Sequence, residues 1–220
     1  DKSGILDFAK VLTKLGYKII STGGTLEVLE KDGVVAIPIE EITGNPRDCF
    51  DGRMKTISFQ IESGILFDRK NASHVDQAKK LNIPQIDIVV CNLYPFEQKP
   101  GIETIDVGGP TMIRAAAKNF ENVLVVVDTN DYRKVSSALK NSKVTSELRK
   151  ELAAKAFYQL SFYDAQIGNF FSKEKFVQTL TIPLRKIKDL RYGENPHQKG
   201  ALYLMPGTNS PLANLKHLWG

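Results

Sequence analysis

The chain has 220 residues, of which 42% are hydrophobic, with two cysteines and a formal net charge of +5. That hydrophobic content supports one substantial core and the beginning of a second domain, and it excludes global disorder. No run reaches the roughly 18 apolar residues of a membrane helix and no signal-peptide pattern opens the chain, so a soluble, cytoplasmic protein is expected, with no membrane partner. Cys49 and Cys91 lack CxxC spacing, so neither a structural zinc site nor a disulfide is expected. Lys and Arg are spread along the chain without aromatic-interleaved stripes, which argues for a phosphorylated small substrate and against nucleic acid. The chain opens on Asp-Lys-Ser-Gly without a Met, and the natural protein is expected to begin earlier.

In chain order, Ile5, Phe8, Ala9, Leu12 and Leu15 recur at three and four, an amphipathic helix stopped by Gly16. "YKIIS" is a short strand that runs into "TGGT", and "LEVLEKDG" predicts a second helix closed by Gly33. Strand, glycine turn and helix in that order make a phosphate-binding βα unit. "VVAIPI" is another strand. "DGRMKTISFQ" at 51–60, if extended, sends Arg53 and Lys55 to one face. "QIDIVVCNLYPF" is a nearly continuous apolar run ended by Pro95, as expected of a strand buried on both faces of a parallel sheet. "TMIRAAAKNF" after Gly-Gly-Pro is a helix with Pro in its first turn, "NVLVVVD" is one more buried strand, and 147–171 is one long helix. Alternating strands and helices predict an α/β fold with a parallel sheet covered on both faces. From about residue 173 turn signals replace the helical period, which places a domain boundary at 175–185.

Three stretches collect polar groups at the carboxyl ends of strands, where such folds keep their sites. In "STGGT", Gly23 and Gly24 permit close backbone approach to an anion, Thr22 and Thr25 add hydroxyls, and the following helix offers free N–H groups. A glycine turn with a Thr cap accounts for the same residues. Arg53 and Lys55, taken alone, read first as a solvated pair. Asp106 before Gly-Gly-Pro reads also as a helix cap, and Arg114 with Lys118, four apart, as a solvated helix face.

Together, "DKSGILDFAKVLTKLGYKIISTGGT", "GRMKT", "CNLYPF", "IDVGGPTMIRAAAKN", "LAAKAF", "YDAQIGNFF" and "LRYGENPHQKGALY" resemble, in order, the bifunctional AICAR formyltransferase/IMP cyclohydrolase family of purine biosynthesis. The resemblance implies a three-layer, methylglyoxal-synthase-like α/β domain at 1–178, followed at 179–220 by a linker and the beginning of the formyltransferase domain. It implies closure of FAICAR to IMP with loss of water and without metal or organic cofactor, with 10-formyltetrahydrofolate as cosubstrate of the full-length transferase, and a homodimer in full-length form. Carried over by residue, Lys55, Tyr94, Asp106 and Lys118 are implied in the chemistry. Lys2, Thr22, Gly23, Gly24, Thr25, Arg53, Thr56, Asn92 and Gly108 are implied in holding substrate and phosphate. Arg191 and Tyr192 match part of the transferase's nucleotide site, while His197 matches a structural position. Because the family's transferase Lys-His pair lies beyond residue 220, this chain is expected to lack formyl transfer.

The chain departs from the family where most members read Lys-Thr-Leu-His-Pro-Lys and Ile-His-Gly-Gly. Here the segments are Lys-Thr-Ile-Ser-Phe-Gln and Ile-Glu-Ser-Gly, and "AFYQLSFYD" lacks a further histidine. Proton transfer then does without those groups or uses Ser58. Two other readings share the fold: a non-catalytic sensor of a phosphorylated ligand, which needs the glycine loop but not Lys55, Tyr94, Asp106 and Lys118, and a methylglyoxal synthase, which lacks "NLYPF" and "LRYGENPHQ".

Overall fold

The structure is a computed structural model that describes residues 2–47, 49–174, 176–208 and 210–211. Its elements in order are α1 (Ile5–Lys14), β1 (Ile20–Ser21), α2 (Gly23–Lys31), β2 (Ile37–Pro38), α3 (Ile39–Thr43), α4 (Phe59–Leu66), α5 (Ala72–Lys80), β3 (Ile88–Val90), α6 (Gly108–Lys118), β4 (Leu124–Val126), α7 (Tyr132–Lys140), α8 (Ser146–Phe171), β5 (Arg185–Leu190) and β6 (Gly200–Leu204). Short 3-10 turns occupy Phe96–Gln98, Ile102–Thr104 and Thr129–Asp131. Among the described residues the backbone packs as two compact units, one within 1–94 and 106–159 and one within 95–105 and 160–220.

The first unit is α/β, as the alternation predicts. β1 pairs with β2 and β3 with β4, both parallel. The strands are shorter than their apolar runs because the ladder ends where the chain lacks donors or turns into helix. Ile37 donates to the Ile19 carbonyl at 2.7 Å, but Pro38 has no N–H and α3 follows at once. β4 is buried throughout, the signature of a strand covered on both faces. α4 lies against α6. Asn119, just past α6, donates from Nδ2 to the Ile65 and Phe67 carbonyls at 2.7 and 3.1 Å, satisfying the end of α4.

Residues 51–57 are not extended. Phe50, Asp51 and Gly52 all have positive φ (51°, 55° and 81°), and Gly52 N–H returns to the Cys49 carbonyl at 3.1 Å. Asp-Gly is a turn dipeptide, and its chemistry overrides the period of two read across it. α3, α4, α5 and α7 were not anticipated by the apolar pattern.

In the second unit Phe96 packs edge-to-face on Tyr163 and Phe170, with ring centroids 6.2 and 5.6 Å apart. The Tyr163 hydroxyl donates to the Thr104 carbonyl at 3.3 Å. β5 and β6 form an antiparallel hairpin with an irregularity between Lys186 and Lys188. No described helix is long and apolar enough to cross a membrane.

Candidate active site

The glycine loop lies between β1 and α2. Thr22 takes the N-cap position with extended backbone, and its side chain makes no cap hydrogen bond. Gly23 follows at φ +42°, where a Cβ would be strained. The first turn of α2 carries no acidic residue; Thr25 N–H is taken by the Thr22 carbonyl at 3.2 Å, and the positive dipole end suits an anion. Lys2 reaches this turn from the approach to α1: its Nζ donates to the Gly24 carbonyl at 2.9 Å and would stand 2.7 Å from a Cβ at Gly24. Glycine at 24 is what allows the ammonium so close.

The 50–57 turn delivers the second set. Lys55 folds back over Gly52, its Nζ 3.1 Å from where a Cβ would be. Arg53 and Lys55 are exposed while Met54 and Thr56 are partly covered, so both cations face outward although the segment is no strand. The Thr56 hydroxyl occupies the space that a Cβ at Gly108 would need. This brings the cationic turn against the first residue of α6.

Asp106 stands at that same helix end. Its Oδ1 accepts from Gly109 N–H at 2.9 Å, so the cap predicted for it exists, while Oδ2 lies against Gly109. Cys91, one residue past β3, places its Sγ 2.9 Å from the same would-be Cβ. Burial, and then the neighbouring Asp106 charge, push the Cys91 thiol up to about 12. It stays protonated at neutral pH and is no nucleophile. Asn92 follows, its Nδ2 donating to the Tyr132 hydroxyl at 3.0 Å. Tyr94 ends the segment with 52% exposure.

The fold therefore gathers Thr56, Cys91, Asp106 and Gly108 at the amino end of α6, and Lys2 with Gly24 at the amino end of α2. It does not bring Lys118 to Asp106. Lys118 is the last residue of α6, exposed, about 15 Å along the axis from Gly108 at 1.5 Å per residue. Arg191 and Tyr192 belong to the second unit, where they begin the connection between β5 and β6.

At the positions where the family carries histidines, Ser58 accepts from Ile61 N–H at 3.1 Å as the N-cap of α4. Glu62 is half-buried, and its Oε1 is out of solvent with no hydrogen-bond partner among the described residues. Burial raises its carboxyl above the usual range. Sequence reasoning missed Cys91, Glu62 and Tyr132. Position offered a signal for Cys91 alone, since it closes an apolar run at the carboxyl end of a strand.

The description "MGS-like domain" fits residues 4–121 and "AICARFT/IMPCHase bienzyme" fits residues 116–220. The chain is 45% identical over 233 residues to the bifunctional purine biosynthesis protein PurH of Oceanobacillus iheyensis, and 47% identical over 229 residues to that of Clostridium botulinum strain Kyoto. Each comparison covers 100% of this chain and 46% of the relative, so the chain spans about half the length of the curated relatives it matches. Among solved structures, that of ForH superimposes with a TM-score of 0.72 at 34% identity, covering 78% of this chain and 92% of that one.

Proposed function

The chain belongs to the family of bifunctional AICARFT/IMPCHase purine biosynthesis proteins and carries its MGS-like domain, and on that premise we propose that it is an IMP cyclohydrolase that closes FAICAR to IMP. The observation that carries the proposal is the packing of Thr56 onto Gly108 beside Asp106, which brings the turn that bears Arg53 and Lys55 next to the amino end of a helix. Thr22, Gly23, Gly24, Thr25 and Lys2 hold the nucleotide phosphate, which α2 meets with the positive end of its dipole.

In the reaction the carboxamide nitrogen adds to the formyl carbon, and the carbonyl electron pair moves to oxygen. That oxygen takes up the proton lost from nitrogen. Water then departs with the formamido proton as the ring C=N forms. Lys55 and Tyr94 donate to the developing oxyanion, and Asp106 exchanges the proton that moves between nitrogen and oxygen. Arg53 and Asn92 orient the substrate, so that much of the acceleration comes from holding nitrogen and carbon together. Lys118, at the far end of α6, is given no step.

We assign the catalytic domain to 1–178 and a linker with the first part of the transferase domain to 179–220; residues 212–220 lie outside the described structure. In a full-length protein Arg191 and Tyr192 would meet the transferase's nucleotide, with 10-formyltetrahydrofolate as formyl donor, in a cytoplasmic homodimer. A spectrophotometric assay with FAICAR tests the activity. IMP formation is expected; a folded sample that binds IMP but forms none would instead be a ligand sensor.

A further inference from the structure

Tyr132 is the first residue of α7 and only 6% exposed. Its ring stacks on Phe8 of α1, centroids 4.6 Å apart and planes within 8°. Its hydroxyl accepts the Asn92 amide at 3.0 Å. Its Cδ2 lies 3.6 Å from where a Cβ at Gly4 would be. One side chain thus joins the amino end of α1, the start of α7 and the second residue past β3. α1 is also the element next to Lys2, which holds the glycine loop.

The turn that presents Tyr132 is itself clamped. Lys155 of α8 bridges Asp128 and Asp131 at 2.7 Å each, and Asp128 accepts from Asn130 N–H at 2.9 Å. Burial, the largest influence, pushes the Tyr132 phenol up, so the hydroxyl keeps its proton over the physiological range. A side-chain amide has one donor and one acceptor end. The Tyr132 hydroxyl holds the Nδ2 end of the Asn92 amide and so restrains its rotation.

We propose that Tyr132 is a positioning residue whose hydroxyl sets the orientation in which the Asn92 amide meets the nucleotide. This rests on the reading of the site as a nucleotide site, and goes beyond it by assigning a role to a residue outside the proposed substrate contacts. The packing of the tyrosine ring is kept by phenylalanine, so Tyr132→Phe removes the hydroxyl alone and the Phe8 stack should hold the melting temperature near that of the unaltered chain.

The test is a double-mutant cycle of Tyr132→Phe and Asn92→Ala, read as IMP affinity by calorimetry and as kcat and KM with FAICAR. Tyr132→Phe should weaken IMP binding about fivefold, the worth of one neutral hydrogen bond. In the Asn92→Ala background the same change should have no further effect, since coupled residues are not additive. The side-chain amide protons of Asn92 should also exchange faster in Tyr132→Phe. An equal loss in both backgrounds, or no loss in the single variant, overturns the inference. If the unaltered chain binds IMP but does not close FAICAR, the proposed activity fails while the cycle is still decided by binding; if it does not bind IMP, both fall.

Discussion

Lys55 and Glu62 lie seven residues apart and show what a motif does and does not reveal. Lys55 is singled out by "GRMKT", and the structure adds the turn that exposes it. With Lys55 as an oxyanion donor, Lys55→Ala should lower kcat with FAICAR about a hundredfold while moving the melting temperature little, because the side chain is exposed; equal losses in activity and stability would make it structural. Glu62 was illegible as anything but a departure from the family, since depth cannot be read from one residue letter. It stands in the first turn of α4, where the helix dipole favours a carboxylate, yet burial wins and raises its pKa. A raised folded value means that the native state binds the proton more tightly than the unfolded chain. The carboxylate's penalty is therefore absent below the ordinary 4.5 and sets in as the pH rises through the folded value. Glu62→Gln should stabilise the chain at pH 8 and change it little at pH 4, as urea melts at the two values would report. A variant less stable at pH 8 would show that the carboxylate has a partner.

Among the elements, those announced by long apolar runs or by glycine turns were legible, namely α1, α2, α6, α8 and the four parallel strands. α4 and α5 are short, and their strongest signals were the caps, Ser58 accepting from Ile61 N–H and Asn71 from Ser73 N–H, which precede segments too short for a clear period. The hairpin of β5 and β6 was hidden behind turn residues, and "RKIKDL", with Ile187 and Leu190 three apart, lacks the period of two. Gly64, in "ESGIL", carried no sequence signal for its packing. A Cβ there would collide with the Pro84 carbonyl and come within 3.2 Å of the Ile86 side chain, so its absence lets the approach to β3 lie on α4. Gly64→Ala should cost about 1–3 kcal/mol in urea unfolding, the range for overpacking, although alanine is the better helix former. The clamp between α8 and the turn before α7 offers a second measurement. Burial opposes the charge on Lys155, but the two aspartates raise its pKa above the ordinary 10.5. Burial likewise opposes the Asp128 carboxylate, and Lys155 outweighs it to lower that pKa below the ordinary 3.8. The aspartate's share of the stabilisation is present above 3.8 and is lost as the pH falls through the folded value, and the lysine's is present below 10.5 and is lost as it rises. With Lys155 39% exposed, screening limits the effect, and Lys155→Met should cost about 1 kcal/mol at neutral pH. The difference from the unaltered chain should vanish in acid; a constant difference would trace to packing.

At the scale of the whole chain, the fold class was legible, but the interruption of one unit by another was not. Residues 95–105 fall between Tyr94 and Asp106 in sequence, yet they pack with 160–220. The reason is aromatic: Phe96 is 2% exposed against Tyr163 and Phe170, and the connecting turn is tied by Tyr163 to the Thr104 carbonyl and by Gln166 to Glu97 at 3.0 Å. The second half of α8 thereby sets the path of residues 95–105. Tolerance of truncation follows from the burial and hydrogen bonds of what is removed. A chain ending at 178 keeps every one of these contacts and loses the Arg185–Glu97 ion pair, whose arginine is 55% exposed and which is worth little. It should close FAICAR at a rate near that of the 220-residue chain. A chain ending at 159 leaves Phe96 without its aromatic partners, a loss of about 3 kcal/mol or more by analogy with stripping a buried ring. It should retain helical circular dichroism from α1 to α7 while losing the reaction. Equal activity of the two fragments would show that the 95–105 segment holds its course without α8, and inactivity of the folded 178-residue fragment would place part of the cyclohydrolase machinery in the residues assigned to the transferase.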